Sequence, residues 1–229
     1  MHILLTDILT CPRCGPEFGL ILLADRISER RVLEGRLGCA NCREQYPVHG
    51  GVVDVRLPGT PPADADRTDA TAAAGDVPAA GGEEAAVRMA ALLGLAGAQG
   101  KVLVAGPGAL VAAEVAALVP EVEVIALAAE PGDVDGHPGV TRMVGANAPL
   151  PFRGQSLRGV AFTGGAGEAA LREGLRVLQP GARLVVEGAV PGTAEALSGL
   201  GAQVMLDQEG TVVARWVGEP VQLRVNAVR

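Results

Sequence analysis

The chain has very few aromatic residues and little positive charge. Of its 229 residues only 2% are aromatic, and Lys101 is the single lysine. Proteins that bind single-stranded nucleic acid commonly stack bases on aromatic side chains. The formal net charge of -7 leaves no excess of basic residues for a phosphate backbone. Direct binding of nucleic acid is therefore not expected.

Long apolar segments are also missing. No apolar run reaches the 18 or more residues that a membrane-spanning helix needs. The first five residues carry neither the basic region nor the apolar region of a secretory signal. We therefore expect a cytoplasmic protein with no membrane partner. In that compartment the four cysteines are expected to bind a metal rather than to form disulfides.

Acidic charge is concentrated in one stretch of the chain. Residues 1–57 and 85–229 carry net charges of 0 and -2, whereas residues 58–84 carry -5. The middle stretch consists mainly of Pro, Gly, Ala, Asp and Thr, and it holds too little apolar surface to offset its ordering entropy. The pattern predicts a small cysteine-containing unit (1–57), a flexible acidic linker (58–84) and a larger unit (85–229).

The larger unit alternates apolar strands with helices. Strands are predicted at 101–105, 122–128, 140–144, 159–163, 183–187, 202–206 and 211–217, and helices at 83–95, 109–118, 167–178 and 193–200. Such alternation is typical of the α/β class, with a doubly wound, mostly parallel sheet of the Rossmann type. The turn Glu209-Gly210 predicts that an antiparallel hairpin ends this sheet.

The small unit contains two CxxC pairs, Cys11 with Cys14 and Cys39 with Cys42. Two such turns can direct four thiolates at one ion and complete a tetrahedral sulfur site for Zn²⁺. Four sulfur ligands leave no open position for water, so the zinc is predicted to be structural and no catalytic residue is assigned. Reduced or disulfide-bonded cysteines are the alternatives, and two matched pairs argue against a redox site.

The segments around the cysteines resemble the Trm112-like zinc-ribbon family. They read LLTDILTCPRC at 4–14 and LGCANCREQYPVHGGV at 37–52, and the resemblance covers about residues 1–57. In that family the small domain is a partner or activator subunit of methyltransferases, which it binds through edge-strand and apolar contacts. The resemblance implies a docking role and a protein partner, either a methyltransferase or a translation-related protein.

Segments of the larger unit resemble class I S-adenosylmethionine-dependent methyltransferases over about residues 85–217. They read KVLVAGPGAL at 101–110, GANAPLPFRGQSL at 145–157 and ALREGLRVLQPGARLVV at 170–186. The resemblance implies S-adenosylmethionine as a cofactor. The residues that would hold it in this chain are Gly106, Gly108, Glu130 and Asn147.

The acids of the family pattern are missing from this chain. Val104, Leu127 and Ala146 stand where the family has carboxylates that bind the cofactor, and Arg158 replaces a further Asp. Each missing carboxylate removes a charge-assisted hydrogen bond worth about 1.5–3 kcal/mol. The loop after residue 163, where family members hold the methyl acceptor, is also short.

Three hypotheses follow. In the first, the chain is a non-catalytic, methyltransferase-like module with a degenerate cofactor site that docks through its zinc ribbon. In the second, it is an active methyltransferase with an activator-like ribbon fused in cis. In the third, it is a nucleotide or dinucleotide binder of the Rossmann type, although the third glycine of that motif is missing. The sequence leaves open whether the chain is an enzyme, and it assigns no substrate, oligomeric state or position of the ribbon.

Overall fold

The computed structural model describes residues 1–57, 82–129 and 139–218. The predicted linker at 58–84 lies outside these residues except for its last three positions. Of these three, Glu83 and Glu84 form the first turn of a helix and are not part of a linker. Within the described ranges, no helix combines the length and the apolar character that crossing a membrane would require.

The small unit is an antiparallel meander. It begins with a 3-10 turn at Ile3–Asp7, and its strands are β1 (Thr10–Cys11), β2 (Gly15–Ser28), β3 (Arg31–Cys39), β4 (Gln45–His49) and β5 (Val52–Asp54). Two of its connections are two-residue turns in which both residues have positive φ, Glu29-Arg30 and Gly50-Gly51. Such turns match the twist of the strands they join, so they set the register of the β2–β3 and β4–β5 hairpins.

The larger unit contains the seven strands predicted between residues 101 and 217, and the further edge strand that the alternating pattern at 221–228 suggests lies outside the described residues. Its elements are α1 (Glu83–Leu93), β6 (Gly100–Ala105), α2 (Ala112–Leu118), β7 (Val122–Ala128), β8 (Val140–Val144), β9 (Leu157–Thr163), α3 (Glu168–Val177), β10 (Leu178–Glu187), α4 (Thr193–Gly199), β11 (Ala202–Gln208) and β12 (Thr211–Trp216). The predicted helix at 109–118 is different at its start, where a 3-10 turn at Pro107–Val111 precedes α2. Proline has no backbone N–H and is well suited to begin such a turn.

The strands of the larger unit have the order β8-β7-β6-β9-β10-β12-β11. Strands β6 to β10 are parallel, and β12 lies antiparallel between β10 and β11. The chain starts in the centre at β6, runs outward to β8, and then returns to fill the other side. This is the predicted doubly wound α/β sheet with a terminal hairpin.

Helices cover only part of the sheet. One face packs against α1 and α2. On the other face, α3 and α4 cover the half near β9 and β10, and the connection 145–156, described throughout, contains no helix. There the small unit supplies the cover, because its Leu5, Leu9 and Val53 share one buried cluster with Ile125 and Met143 of the sheet.

The two units share a single twelve-stranded sheet. Strand β5 pairs in parallel with β8, with Val52 opposite Arg142 and Asp54 opposite Val144. The next residue, Val55, donates its N–H to the Val144 carbonyl at 2.9 Å. The small unit therefore packs on the larger unit of its own chain, which the sequence left undecided.

Candidate functional site

Four cysteine sulfurs form a compact cluster in the small unit. All four Sγ atoms lie within 4.8 Å of one another. The Cys11–Cys42 and Cys14–Cys39 pairs are separated by 3.7 and 3.8 Å. Zinc–sulfur bonds of about 2.3 Å give a tetrahedron with edges of about 3.8 Å, whereas a disulfide needs about 2.05 Å. The cluster fits a Zn²⁺ ion, as the sequence predicted.

The local fold explains why these sulfurs converge. Cys11 ends β1 and Cys39 ends β3, and each is followed by a tight turn that brings back the second cysteine of its pair. In the second turn Arg43 has positive φ, and its N–H donates to the Cys39 carbonyl at 2.9 Å. Of the metal-binding residue types in the described ranges, only cysteines belong to this cluster. The donor set is therefore suited to a structural ion.

Two further side chains contact the sulfurs. The buried Tyr46 hydroxyl lies 3.3 Å from Cys11 Sγ, and the exposed Asn41 amide donates to Cys14 Sγ at 3.4 Å. Burial raises the pKa of Tyr46 well above its usual range, so the phenol stays protonated and can donate to a thiolate. Sequence reasoning assigned neither residue to the site, although Asn41 lies inside a CxxC pair and Tyr46 is four residues beyond it.

The pKa of Cys39 is also shifted. Burial alone would raise this pKa, but hydrogen bonds to the sulfur from the backbone N–H groups of Cys42 and Asn41, together with those from the Cys11 and Cys42 side chains, outweigh burial and lower it to about 7. A thiol with a lowered pKa is deprotonated more readily, and the thiolate is the form that binds metal.

The predicted cofactor residues lie apart from this cluster, at the carboxyl edge of the parallel strands. Gly106 follows β6 with φ of +101°, and a Cβ there would lie 2.2 Å from the Thr163 carbonyl oxygen. Its N–H donates to the Leu127 carbonyl at 3.0 Å. The close approach of the end of β9 is therefore sufficient to require glycine at this position.

The other three predicted residues are less informative. Gly108 lies within the 3-10 turn Pro107–Val111. Asn147 is half-buried in the connection after β8, and its amide has no hydrogen-bond partner in the described part of the chain. Glu130 lies outside the described residues. The structure thus places Gly106, Gly108 and Asn147 in loops that follow β6 and β8 at one edge of the sheet.

Leu127 occupies the position where the methyltransferase resemblance expects a ribose-binding acid. Its side chain is fully buried, in the same cluster as Val55 and Met143. A Cβ on Gly145 would lie 2.7 Å from Val55 Cγ2 and 3.5 Å from Leu127 Cδ1. Leu127 is thus a core side chain, and the end of the small unit packs beside it.

The turns after the central strands also pack closely on one another. A Cβ on Gly164, which follows β9, would lie 3.1 Å from Pro107 Cδ. The N–H of Gly165 donates to the Glu187 carbonyl at 2.8 Å, at the end of β10. In open α/β sheets, ligands bind in the crevice at this switch point. A depression of about 470 Å³ lies at the opposite edge of the sheet, beside Gln155, Arg176 and Trp216.

Comparison with known proteins finds similar solved structures. No family model matches the sequence, and no curated protein matches it. The similar solved structures include the antibiotic-resistance methyltransferase Kmr, with 12% identity, a TM-score of 0.43, and coverage of 58% of this chain and 93% of that one. The 4+2 cyclase SpnF has 16% identity, a TM-score of 0.42 and coverage of 54% and 58%.

A third similar structure is a chain from the complex between the Haloferax volcanii Trm112 methyltransferase activator and a candidate methyltransferase. It has 14% identity and a TM-score of 0.42, and the match covers 66% of this chain and 98% of that one. Similarities at this level carry no argument about activity, ligand or partner.

Proposed function

We propose that this chain is a methyltransferase-like binding or regulatory module that does not transfer methyl groups, with a structural zinc ribbon docked on its own α/β unit. The observation that carries the proposal is the complete burial of Leu127 beside Val55. A buried leucine cannot pair with ribose hydroxyls, and groups left unpaired on binding cost about 1–3 kcal/mol each.

Other contacts at the same edge support the proposal. Gly106 and Gly164 are explained by packing between the turns after β6 and β9, without any ligand. Val104, a second position where the resemblance expects an acid, is fully buried. At positions 104 and 127 the described side chains offer no hydrogen-bonding group to S-adenosylmethionine, so the proposal includes no catalytic step through that cofactor.

In this proposal the zinc ion stabilises the fold. The zinc ion would be held by four thiolates, those of Cys11, Cys14, Cys39 and Cys42. It would cross-link the two turns that carry them. A unit of 57 residues has a small core of its own, so metal binding contributes much of its folding free energy. Because β5 belongs to the shared sheet, the ion also supports the edge of the larger unit. A cytoplasmic location and a protein partner remain part of the proposal.

One observation favours a second candidate, an active methyltransferase with its activator fused in cis. The β5–β8 pairing is an edge-strand contact within one chain. The resemblance of the ribbon implies the same kind of contact between an activator and its enzyme. In this candidate Asn147 and backbone groups near Gly106 would replace the missing carboxylates.

Calorimetric titration of the zinc-loaded full chain with S-adenosylmethionine and S-adenosylhomocysteine distinguishes the two candidates. We expect no saturable heat up to about 1 mM ligand, from protein with one bound zinc and a cooperative unfolding transition. Micromolar binding that is weakened in Asn147→Ala would overturn the proposal in favour of the active enzyme. Titration with NAD tests the dinucleotide hypothesis in the same way.

A further inference from the structure

Three arginines that none of these functions uses surround a depression beside the end of α1. Arg158, Arg183 and Arg215 line a space of about 200 Å³ together with Leu93 and Met205. The depression lies at the start of β9, and so at the opposite end of the parallel strands from the crevice at their carboxyl ends. Arg158 also stands where the methyltransferase resemblance expects an Asp, so the local charge is reversed.

Arg183 is held in place by the last turn of α1. Its Nη1 donates to the carbonyls of Ala91 and Leu92 at 3.2 and 3.1 Å. The helix ends at Gly94 with φ of +69°, and a Cβ there would lie 3.0 Å from Arg183 Cζ. The guanidinium thus occupies space that any other residue at position 94 would fill.

Arg215 lies directly opposite Arg183 in the β10–β12 pairing. Like charges at directly opposite positions destabilise a sheet. Gly181 leaves room beside Arg215, since a Cβ there would lie 3.7 Å from Arg215 Nη2. In the ranges that the structure describes, no carboxylate lies within 4.0 Å of any of the three guanidinium groups.

Other arginines of this chain differ in their partners. Arg88 pairs with Glu187 at 3.2 Å and Arg176 with Glu173 at 2.7 Å, whereas the exposed contact of Arg142 is with the Gly50 carbonyl at 2.8 Å. What distinguishes Arg158, Arg183 and Arg215 is that all three line one depression. The carbonyls at the end of α1 stabilise the charge of Arg183, and an anion between the three side chains would offset their mutual repulsion. Guanidinium groups bind phosphate oxygens in a bidentate manner with charge-assisted hydrogen bonds.

We propose that Arg158, Arg183 and Arg215 form a binding site for a phosphate group. The depression is smaller than the roughly 300–1,000 Å³ of sites for drug-sized ligands, so it would take the phosphate itself while any larger part of the ligand stays outside. The group could be inorganic phosphate or the phosphate of a small monoester. This site is independent of the proposed function and of the zinc cluster.

Titration of the zinc-loaded full chain with inorganic phosphate and with glycerol phosphate, at constant ionic strength set with chloride, tests the proposal. We expect saturable binding that Arg158→Gln and Arg215→Gln each weaken at least tenfold. Arg172→Gln, an exposed arginine paired with Glu168 on α3, serves as the matched control and should bind like the parent chain. Tighter binding of the ester would identify a phosphorylated metabolite class as the ligand, and equal binding would identify free phosphate.

A stability measurement separates a binding role from a structural one. Without phosphate, Arg215→Gln should melt at the same temperature as the parent chain or higher, because a like-charge contact is relieved. Phosphate should raise the melting temperature of the parent chain, and at the same concentration it should raise that of Arg215→Gln by less. The absence of saturable binding, equal weakening in Arg172→Gln, or a lower melting temperature of phosphate-free Arg215→Gln would each overturn the proposal.

Discussion

The side chain of Val55 closes directly over Gly145, with Cγ2 only 2.7 Å from the point that a Cβ on Gly145 would occupy. Val55 follows β5, the last strand of the small unit, and Gly145 follows β8 of the larger unit. Both residues are buried. The two units therefore pack closely beside Leu127, at the edge where a cofactor would bind.

Replacing Gly145 by alanine should destabilise the chain by about 1–3 kcal/mol, because the added methyl group overpacks a buried contact with a stiff valine. Urea unfolding measures the difference. Gly199→Ala is the matched control, since a Cβ at that helix-terminal position meets nothing within 4 Å. If both substitutions had the same small effect, Val55 and Gly145 would not be in the described contact.

The same contact predicts coupling between two substitutions. Val55→Ala alone should also destabilise the chain, because it removes buried methyl groups. Gly145→Ala should then be tolerated in the Val55→Ala background, so the double variant should be more stable than additivity predicts by about 1 kcal/mol or more. Additive effects in urea unfolding would contradict the contact.

Zinc removal should affect the whole described fold. A chelator should lower the melting temperature by about 10 °C or more, since structural zinc contributes several kcal/mol and a chain of this size shifts by about 2–4 °C per kcal/mol. Metal analysis should find one zinc per chain before treatment, and added zinc should restore the transition. An unchanged melting temperature after verified metal loss would contradict a structural role.

Tyr46→Phe should weaken zinc binding about tenfold while keeping the fold. The variant removes only the hydroxyl that lies 3.3 Å from Cys11 Sγ, and groups that support metal ligands typically contribute that much or more. Competition with a chromophoric chelator measures the affinity. Asn41→Ala removes a more exposed contact and should weaken zinc binding less. A larger loss of affinity in Asn41→Ala than in Tyr46→Phe would contradict the role assigned to the Tyr46 hydroxyl.

Arg176 links α3 to the segment that holds the ribbon. It donates to the carbonyls of Phe152 and Leu150 at 2.8 and 3.0 Å, and its partner Glu173 accepts from the Leu150 N–H at 2.8 Å. The neighbouring Pro151 carbonyl accepts from the N–H of Thr10 in the ribbon at 2.9 Å. The Arg176–Glu173 pair therefore holds a loop that both units contact.

Arg176→Met should accordingly cost about 2 kcal/mol, because it leaves a half-buried carboxylate and two carbonyls without their partner. Arg172→Met, one turn earlier, breaks only the exposed pair with Glu168 and should cost no more than about 0.5 kcal/mol. Thermal or urea unfolding of the two variants provides the test. Equal losses of stability in the two variants would contradict the role of Arg176 in holding the loop.

His2 makes stability depend on pH. Burial lowers the pKa of His2 below its usual 6.5, although the nearby Glu123 carboxylate raises it. The unfolded chain therefore binds the proton first as pH falls through about 6.5, so the free energy of unfolding should decrease toward acid pH. Urea unfolding between pH 7.5 and 5 should show a weaker dependence of the unfolding free energy on pH in His2→Gln than in the parent chain. The same dependence in both proteins would contradict a contribution from His2.

The sequence was sufficient to predict the local elements. Strands β7 and β8 have the predicted bounds, 122–128 and 140–144, because short apolar runs between turn residues indicate buried strands without knowledge of their neighbours. The convergence of the four cysteines was predictable for a similar reason. The ligand types and their spacing are sufficient to define a four-sulfur site.

Contacts between distant segments could not be predicted in this way. The pairing of Val52–Asp54 with β8 joins segments with no pattern in common. The loss of an acid at position 127 was visible in the sequence, but the burial of Leu127 depends on Val55 from the other unit. The cluster of Arg158, Arg183 and Arg215 could not be predicted from the sequence, because these residues come together only when three separate strands pair.

The position of β5 in the shared sheet has a consequence for the order of events during synthesis. Its partner residues end at Val144, 90 residues after Asp54 (144 less 54). At about 5–20 residues per second, a ribosome needs about 5–18 seconds to translate that interval. During this time the small unit of the nascent chain presents β5 without its partner strand, so a chaperone, or early metal binding by the four cysteines, would protect the chain at this stage of its production.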